Sequence, residues 1–359
     1  MGNAARVFAV FLIVAASGAL NVASIASVFR QSIYKPLARL SGLLAISLLV
    51  GGLAILVLDL GRPERVIMAM THYNFKSILA WNIFLYIGFM LVVAAYLVTL
   101  FELRLDWHSG VLGWLAFIWR IVLTTGTGSI FGFLVARQAY DAAIMAPLFI
   151  IMSFAFGTGS SLLLMLALSG WHRYQIDPSV FAGLGKLLAI FVAAVLYIAL
   201  AHHLTNLYAA EHHGVERFIL VDGGVYTWLF WLGQVLLGSV VPVGLLLIAR
   251  NRHAPYVVAV AASLIVLGGL AQMYVIIIAG QAYPFVLFPG KEVSSSFLDG
   301  VVTQYAPSLP EIALGIGGVA FALLATVLVM RVLPFIPAPL GHGNRAESSG
   351  TDSPARPGC

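Results

Sequence analysis

The chain has 359 residues, of which 61% are hydrophobic and only 9% charged, and its mean hydropathy is +1.00. Soluble domains carry about 25% charged residues, so this composition excludes a water-soluble fold. The formal net charge of +5 does not indicate nucleic-acid binding, because the 19 Lys and Arg residues are scattered singly through short connections. The lone cysteine, Cys359, excludes a disulfide or an iron–sulfur site built within this chain.

Long apolar runs recur from one end of the chain to the other. Each run is about 20 residues long, enough for a helix to cross a hydrocarbon core of about 30 Å, whereas a barrel strand needs only about 10 residues of alternating polarity. We therefore expect an all-α integral membrane protein with about nine transmembrane helices. The predicted spans are 7–29, 41–59, 78–101, 112–135, 144–170, 180–201, 225–249, 255–279 and 311–333.

Residues 1–340 form one predicted polytopic membrane domain, and the tail 341–359, rich in Gly, Ser and Pro, is predicted to be disordered. The connections between spans alternate between two membrane faces. Twelve of the 19 Lys and Arg residues fall on or near one face, which we call the basic face, and the remaining seven on the other. The second face, here the motif face, contains the connections 61–77, 137–143, 202–224 and 281–310. The positive-inside rule places the motif face, and the N-terminus as given, outside the cytoplasm.

The histidines do not predict a haem or a metal site. None of the nine lies in the middle of a predicted span, where facing pairs would be needed to bind a b-type haem. A cluster on the motif face comprises His202, His203, His212 and His213. Adjacent side chains on a helix point about 100° apart, so two neighbours cannot face one ion without distortion. These residues are expected to be interfacial polar groups or proton carriers.

Four ionisable residues lie within or at the ends of predicted spans, where charge is costly. Arg120 and Lys186 are expected to extend to the interface on the basic face. Glu311 is expected to complement the dipole of the last helix from its first turn. Asp59 begins the sequence DLGRPE and has two interpretations, a structural Asp–Arg clamp that closes the loop or a proton-handling group.

Small residues predict two sites of close helix packing. Ser17, Asn21 and Ser24 share one face of the first predicted span. Gly128 and Gly132 form a G-x-x-x-G pattern in the fourth span. Such stripes let neighbouring helix backbones approach closely within a membrane.

Several motifs on the motif face resemble one family of membrane proteins. LDLGRP at 58–63 and HYNFKS at 72–77, followed by Trp81, resemble the NrfD/PsrC family, the polysulfide reductase type of membrane subunit. The similarity is greatest to the DsrP branch, the membrane subunits of DsrMKJOP complexes in dissimilatory sulfur metabolism. The segments that are similar to this branch are 8–29, 216–218, 222–224, 283–290 and 305–311.

The resemblance covers residues from about 7 to 340 and implies two four-helix bundles with flanking helices. DsrP-like chains usually have ten spans, so an N-terminal helix is expected to be missing from the sequence given. The implied function is that of a quinone/quinol-interacting subunit of a respiratory oxidoreductase in the bacterial inner membrane. The implied partners are an extracytoplasmic iron–sulfur subunit and cytochrome b and cytochrome c subunits, with no haem or iron–sulfur cluster in this chain.

His72 is the first candidate for hydrogen bonding to the quinone headgroup and for proton exchange, because imidazole titrates near neutral pH. The other candidates are carboxylates for proton exchange and polar side chains for headgroup binding. They are Asp59, Asp222, Asn74, Arg62 and Lys76.

A second interpretation is an ion- or solute-translocating transporter subunit. It is favoured by Arg120 and Lys186 and by the bend that Pro242 predicts in the seventh span. Transporters usually place their polar sites near the midplane, whereas polar residues here concentrate at one face. A purely structural anchor is the third possibility.

Overall fold

A computed structural model describes most of the chain between residues 3 and 333. The described residues are 3–64, 68, 70–72, 74–102, 106–135, 137–170, 176–248, 255–284, 301–303 and 305–333. Within them, nine helices are long and apolar enough to cross a membrane, and no strand occurs. The all-α fold class and the number of spans are therefore confirmed. The predicted tail 341–359 lies outside the described residues.

The nine helices follow one another in chain order as α1 to α9. Their bounds are Ala4–Ser27, Lys35–Asp59, Ile78–Phe101, Ser109–Gly132, Met145–Gly170, Pro178–Tyr208, Val225–Leu247, Pro255–Ala282 and Leu309–Val332. The regular part of α4 begins earlier, at Asp106. Between α6 and α7 lies a connecting segment made of a short helix, His213–Arg217, and a π-helical turn, Phe218–Asp222.

Helix α1 is the central element of the bundle. It packs against α2, α4, α5, α8 and α9. Helices α5, α6, α7 and α8 pack on one another as a second group, which shares α5 and α8 with the neighbours of α1. The α1 and α5 backbones meet at Gly18 and Gly157, because a Cβ atom built on Gly18 would lie 1.6 Å from the Ser153 carbonyl oxygen. Only glycine permits this approach, which fixes both helices at that level of the membrane.

The G-x-x-x-G pattern of α4 also marks a close approach, as predicted. A Cβ atom on Gly128 would lie 2.8 Å from the Ala146 Cα atom, and one on Gly132 would lie 2.9 Å from the Ala142 carbonyl oxygen. Both contacts are with backbone, one in the first turn of α5 and one just before that helix, so neither could be relieved by moving a side chain. The pattern packs α4 tightly on α5.

Helices α7 and α8 contain wide π-helical stretches, at Leu229–Val240 and Val275–Ala279. The stretch in α7 ends just before Pro242, which has no N–H group to donate within the helix. Within the stretch, the Ser239 hydroxyl donates to the Gln234 carbonyl oxygen at 3.0 Å. The expected disturbance of the seventh span therefore takes the form of widened turns, which are frequent at functional sites.

Arg120 lies deep inside the bundle, and the prediction that it extends to the interface is wrong. Because α4 begins at Asp106, Arg120 is near the middle of the helix, and the residue is only 2% exposed. Its guanidinium lies between the Phe117 and Phe154 rings, at 4.8 and 4.9 Å from their centroids, and donates to the Asn21 side-chain oxygen. Cation–π contacts and hydrogen bonds take the place of water around this charge.

The polar stripe of α1 therefore does more than permit close packing. The Ser17 hydroxyl donates to the Arg120 carbonyl oxygen at 3.1 Å, and the Asn21 amide donates to the Thr158 hydroxyl oxygen at 2.8 Å. These bonds join α1 to α4 and α5. In a membrane interior such interhelical hydrogen bonds are worth about 0.6 to 2 kcal/mol each.

Candidate functional site

The first polar group lies where α2 ends at the motif face. The Asp59 carboxylate accepts a hydrogen bond from Arg6 Nε at 2.7 Å and another from the Asn3 amide, both at the start of α1. Just beyond Asp59 the chain turns at Gly61, whose φ of +65° favours glycine. The predicted Asp–Arg clamp exists, but its arginine is Arg6 of another helix, whereas Arg62 is exposed.

Tyr305 connects the start of α1 to the start of α9. The Ala4 N–H group donates to the Tyr305 hydroxyl oxygen at 2.7 Å, and this hydroxyl donates to the Glu311 carboxylate. The Tyr226 hydroxyl is hydrogen-bonded to the Tyr305 backbone. Burial, followed by the bond to Glu311, raises the pKa of Tyr305 to about 12, so its hydroxyl stays protonated and keeps donating.

His72, Asn74 and Lys76 lie together on one exposed loop before α3. His72 Nδ1 is 3.0 Å from the Thr71 hydroxyl oxygen. The Asn74 side-chain oxygen accepts the Lys76 backbone N–H at 3.0 Å, an Asx turn that shapes the loop. The Lys76 side chain is exposed. The structure thus brings together three of the predicted site residues.

An exposed aromatic edge begins in the same loop and continues along α3. The Trp81 indole N–H donates to the Phe75 carbonyl oxygen at 2.9 Å, which fastens the loop to the helix. The Trp81 ring centroid is 6.2 Å from that of Phe75 and 6.1 Å from that of Phe84. All three rings are exposed, so an apolar surface of mutually inclined rings lies beside the polar side chains of the loop.

Asp222 lies apart from the other predicted site residues. It forms an exposed ion pair with Arg217 at 2.7 Å, within the connecting segment. Among the described residues, no hydrogen bond or ion pair joins Asp222 to Asp59 or His72.

A second polar group, which the sequence analysis did not assemble, is buried between α6 and the connecting segment. Glu216 is 1% exposed. Its two carboxylate oxygens contact His203 Nδ1 at 2.7 Å and the Asn206 amide nitrogen at 2.8 Å. A buried carboxylate is stable only when such partners replace its hydration.

A cavity of about 30 Å³, measured as the space open to the centre of a water molecule, adjoins this carboxylate. Its polar lining consists of His202, His203, Glu216, Gln234 and Gln272, from α6, the connecting segment, α7 and α8. His202 Nδ1 and Gln272 Nε2 are buried there without a hydrogen-bond partner among the described residues.

This site escaped prediction because the sixth span was expected to end at residue 201. The helix continues to Tyr208, which places His202 and His203 inside α6. Both residues lie in the last two turns of this helix and not in its middle, so the predicted end of the sixth span is wrong, while the expectation that no histidine lies in the middle of a span is unaffected by them. One sequence feature could have predicted this site. Gln234 and Gln272 are amides within otherwise apolar runs, and polar groups inside a membrane usually mark a cavity or a pathway.

No cluster of three or more His, Cys, Asp or Glu side chains in the described part of the chain is arranged to hold a metal ion. The His202 and His203 rings are 5.4 Å apart and tilted by 55°, and each contacts a different neighbour, Asn206 and Glu216. Their arrangement suits hydrogen bonding rather than shared ligation of one ion.

The family model described as "Polysulphide reductase, NrfD" matches residues 4–284, which include both polar groups. The chain belongs to the NrfD family. This membership confirms the family that the sequence motifs resemble.

Curated relatives span most of this NrfD-family protein. The integral membrane subunit of an Hdr-like menaquinol oxidoreductase from Archaeoglobus fulgidus is 27% identical, over 89% of this protein and 81% of the relative. The C subunit of a selenate reductase from Mesobacillus selenatarsenatis is 23% identical, over 91% and 84%. The C chain of a polysulfide reductase from Wolinella succinogenes is 27% identical, over 68% and 82%.

Proposed function

We propose that this NrfD-family protein is the quinone/quinol-interacting membrane subunit of a respiratory oxidoreductase complex and exchanges electrons with a partner iron–sulfur subunit. Three relatives are named as subunits or chains of oxidoreductases, and one of these enzymes is a menaquinol oxidoreductase. A multi-pass helical bundle can serve such an enzyme by holding a membrane-soluble quinone beside the redox centre of a partner.

The observation that carries the proposal is the exposed loop beside an aromatic edge at the motif face. His72, Asn74 and Lys76 offer the kinds of donor that quinone carbonyl oxygens accept. The exposed face of the Trp81 ring offers a surface for stacking, at the depth where a helix meets the membrane interface. The residues present therefore fit a quinone headgroup.

Each candidate has a separate role in this proposal. His72 exchanges the proton that accompanies electron transfer, because its ring is exposed and imidazole titrates near neutral pH. Lys76 and Arg62 supply positive hydrogen-bond donors, while Asn74 holds the loop and orients its neighbours. Asp59 accepts protons at the end of α2, and Asp222, which lies apart from the loop, accepts them in the connecting segment. When bound, the quinone supplies the electron- and proton-accepting chemistry.

The finer assignment is a DsrMKJOP-like complex of dissimilatory sulfur metabolism, in the bacterial inner membrane. The motif face then lies outside the cytoplasm, facing the iron–sulfur subunit. Cytochrome b and cytochrome c subunits of the same complex complete the electron path, and no haem or iron–sulfur cluster belongs to this chain. Co-purification of the complex, followed by identification of its subunits, tests these assignments together.

A transporter subunit is the alternative, and one observation favours it. Arg120 is a buried cation near the middle of α4, the depth at which transporters bind their substrates. The two functions differ in what they require. Quinone-dependent electron transfer that appears only when partner subunits are present supports the oxidoreductase, whereas solute or ion flux through the isolated protein supports the transporter.

The proposal predicts a large kinetic defect for His72→Ala. The variant complex should assemble normally, because the His72 side chain is exposed, while quinol-linked turnover falls by about 10²-fold through loss of the proton-exchanging group. The measurement is turnover of the purified, assembled complex with a soluble quinol analogue.

His213→Ala is the matched control, since His213 is also exposed on the motif face but belongs to the connecting segment. Its turnover should stay close to that of the unaltered complex. An assembled His72→Ala complex with normal quinol kinetics would leave this loop a structural role and remove the proposed headgroup site.

A further inference from the structure

The buried cavity next to Glu216 contains two unpaired donor groups. The Asn206 amide donates to Glu216 and lies 3.4 Å from His202 Nε2, so Nε2 acts as the acceptor and the His202 proton resides on Nδ1. That N–H and the Gln272 amide both lack a partner among the described residues, and both residues line the cavity. A donor that is buried without a partner loses its bonds to water and gains none in return, so this pair of groups requires an acceptor.

Water is the ligand that fits these groups. A cavity needs about 10 to 15 Å³ of such space for each water molecule, and about 30 Å³ is present, enough for about two. Water can accept from both unpaired donors and also donate. A bound cation would need acceptor atoms instead, and both Glu216 oxygens already accept from N–H groups. A quinone ring does not fit, because it has several times as many non-hydrogen atoms as the two water molecules for which the cavity has room.

We propose that this cavity holds ordered water and forms an internal proton-exchange site, in which the Glu216–His203 pair holds the proton and His202 and Gln272 bind the water. In the loaded state, a His203 imidazolium faces the Glu216 carboxylate. On release, one proton passes from the imidazole to a cavity water, which becomes hydronium, and neutral His203 remains beside the carboxylate. The reverse transfer reloads the site, and no other bond changes.

Few ionisable groups face this cavity. Those that line it are His202 and His203 of α6 and Glu216 of the connecting segment. His212, the next histidine near the site, is bonded to the Gln138 carbonyl oxygen at 2.8 Å. Helices α7 and α8 present only the amides Gln234 and Gln272, and α5 presents the apolar side chains of Met145 and Leu148.

The widened turns of α7 and α8 support the same interpretation. Gln234 lies within the π-helical stretch Leu229–Val240, and Gln272 lies one turn before the stretch Val275–Ala279. Val275 and Ile276, from the second stretch, also line the cavity. Wide turns alter the direction of neighbouring side chains and are frequent at functional sites. The site goes beyond the proposed quinone function and does not depend on it.

The test is an infrared pH titration of the full chain in lipid nanodiscs without quinone. The unaltered protein should show pH-dependent carboxylate and imidazole bands, together with O–H stretching bands of internal water that shift in heavy-oxygen water. Gln272→Leu removes the amide at similar side-chain volume and should abolish the internal water bands. Glu216→Gln should abolish the pH-dependent carboxylate band of the pair.

Glu211→Gln is the matched control, because Glu211 is an exposed carboxylate in the turn before the connecting segment. It should retain both the water bands and the pair's titrating band. Water bands that persist in Gln272→Leu would show that the cavity holds no water bound by this amide and would overturn the proposal. The same conclusion would follow if the carboxylate band that shifts with the charge on His203 were unchanged in Glu216→Gln. If Glu216→Gln fails to fold, the internal water bands of Gln272→Leu still test the proposal.

Discussion

Two neighbouring residues of the connecting segment form polar contacts of the same length in opposite environments. Glu216 contacts His203 and Arg217 contacts Asp222, both at 2.7 Å. The side chains of the first pair are 13% and 1% exposed for His203 and Glu216, whereas those of the second are 76% and 53% exposed for Arg217 and Asp222. The comparison separates the effect of burial from that of distance.

Burial determines what is lost when one partner is removed. At the surface, water and salt screen the attraction, so an exposed pair contributes about 0 to 1 kcal/mol. In the interior, the remaining charge has no water to solvate it, and breaking the pair costs far more than the pair itself contributes. The distance between the partners therefore does not determine how much stability is lost when one of them is replaced. Substitutions in the buried and the exposed pair should change the free energy of unfolding by very different amounts.

The largest effect is expected for His203→Leu. This change leaves the Glu216 carboxylate buried with only the Asn206 amide, so the free energy of unfolding should fall by about 3 to 5 kcal/mol. Reversible unfolding in mixed micelles measures the change. The double variant His203→Leu, Glu216→Leu should recover most of the loss, because apolar residues can replace a buried pair. A double variant as unstable as the single one would contradict this account.

An intermediate effect is expected for Arg6→Gln. The Asp59 side chain is only 11% exposed, whereas that of Arg6 is 44% exposed, so the pair lies between the two extremes. The Asn3 amide still satisfies the carboxylate after the change. The free energy of unfolding should fall by about 1 kcal/mol, and by less in high salt. The same micelle assay at two salt concentrations measures both quantities, and a loss as large as that of His203→Leu would refute the proposed order.

The smallest effect is expected for Arg217→Gln. Both partners are more than half exposed, and surface changes of this kind usually stay within about 0.5 kcal/mol. The unfolding curve should overlay that of the unaltered protein within error. A clear destabilisation would mean that the Arg217–Asp222 pair is shielded from water by an assembly around the connecting segment.

The fold was largely predictable from sequence because the lipid imposes a simple rule. Each helical span needs about 20 apolar residues, and a helix satisfies its backbone hydrogen bonds within its own segment. Helix ends were less predictable. The apolar run weakens at His202, yet the helix continues to Tyr208, because hydrogen bonding to Glu216 and Asn206 compensates for polarity in the last turns of α6.

The two polar groups differed in how visible they were in the sequence. Asp59 is conspicuous because an acid, a glycine, an arginine and a proline follow one another, but its partner Arg6 belongs to another helix, which local sequence cannot reveal. The buried group is divided among three helices and the connecting segment, and no two of its elements share a motif. Only the packing of α6, α7 and α8 brings those residues together.

The contact between Arg120 and Asn21 has a consequence for how the protein is made. A lone arginine at the centre of a helix opposes insertion by about 2.5 to 3.5 kcal/mol. Synthesis proceeds from the N-terminus, so α1, with the Asn21 acceptor, is already in the bilayer when α4 leaves the insertion machinery. Chain order therefore provides the arginine-bearing helix with its docking partner in advance, and moving α1 to the C-terminus by circular permutation would expose Arg120 to lipid during biogenesis.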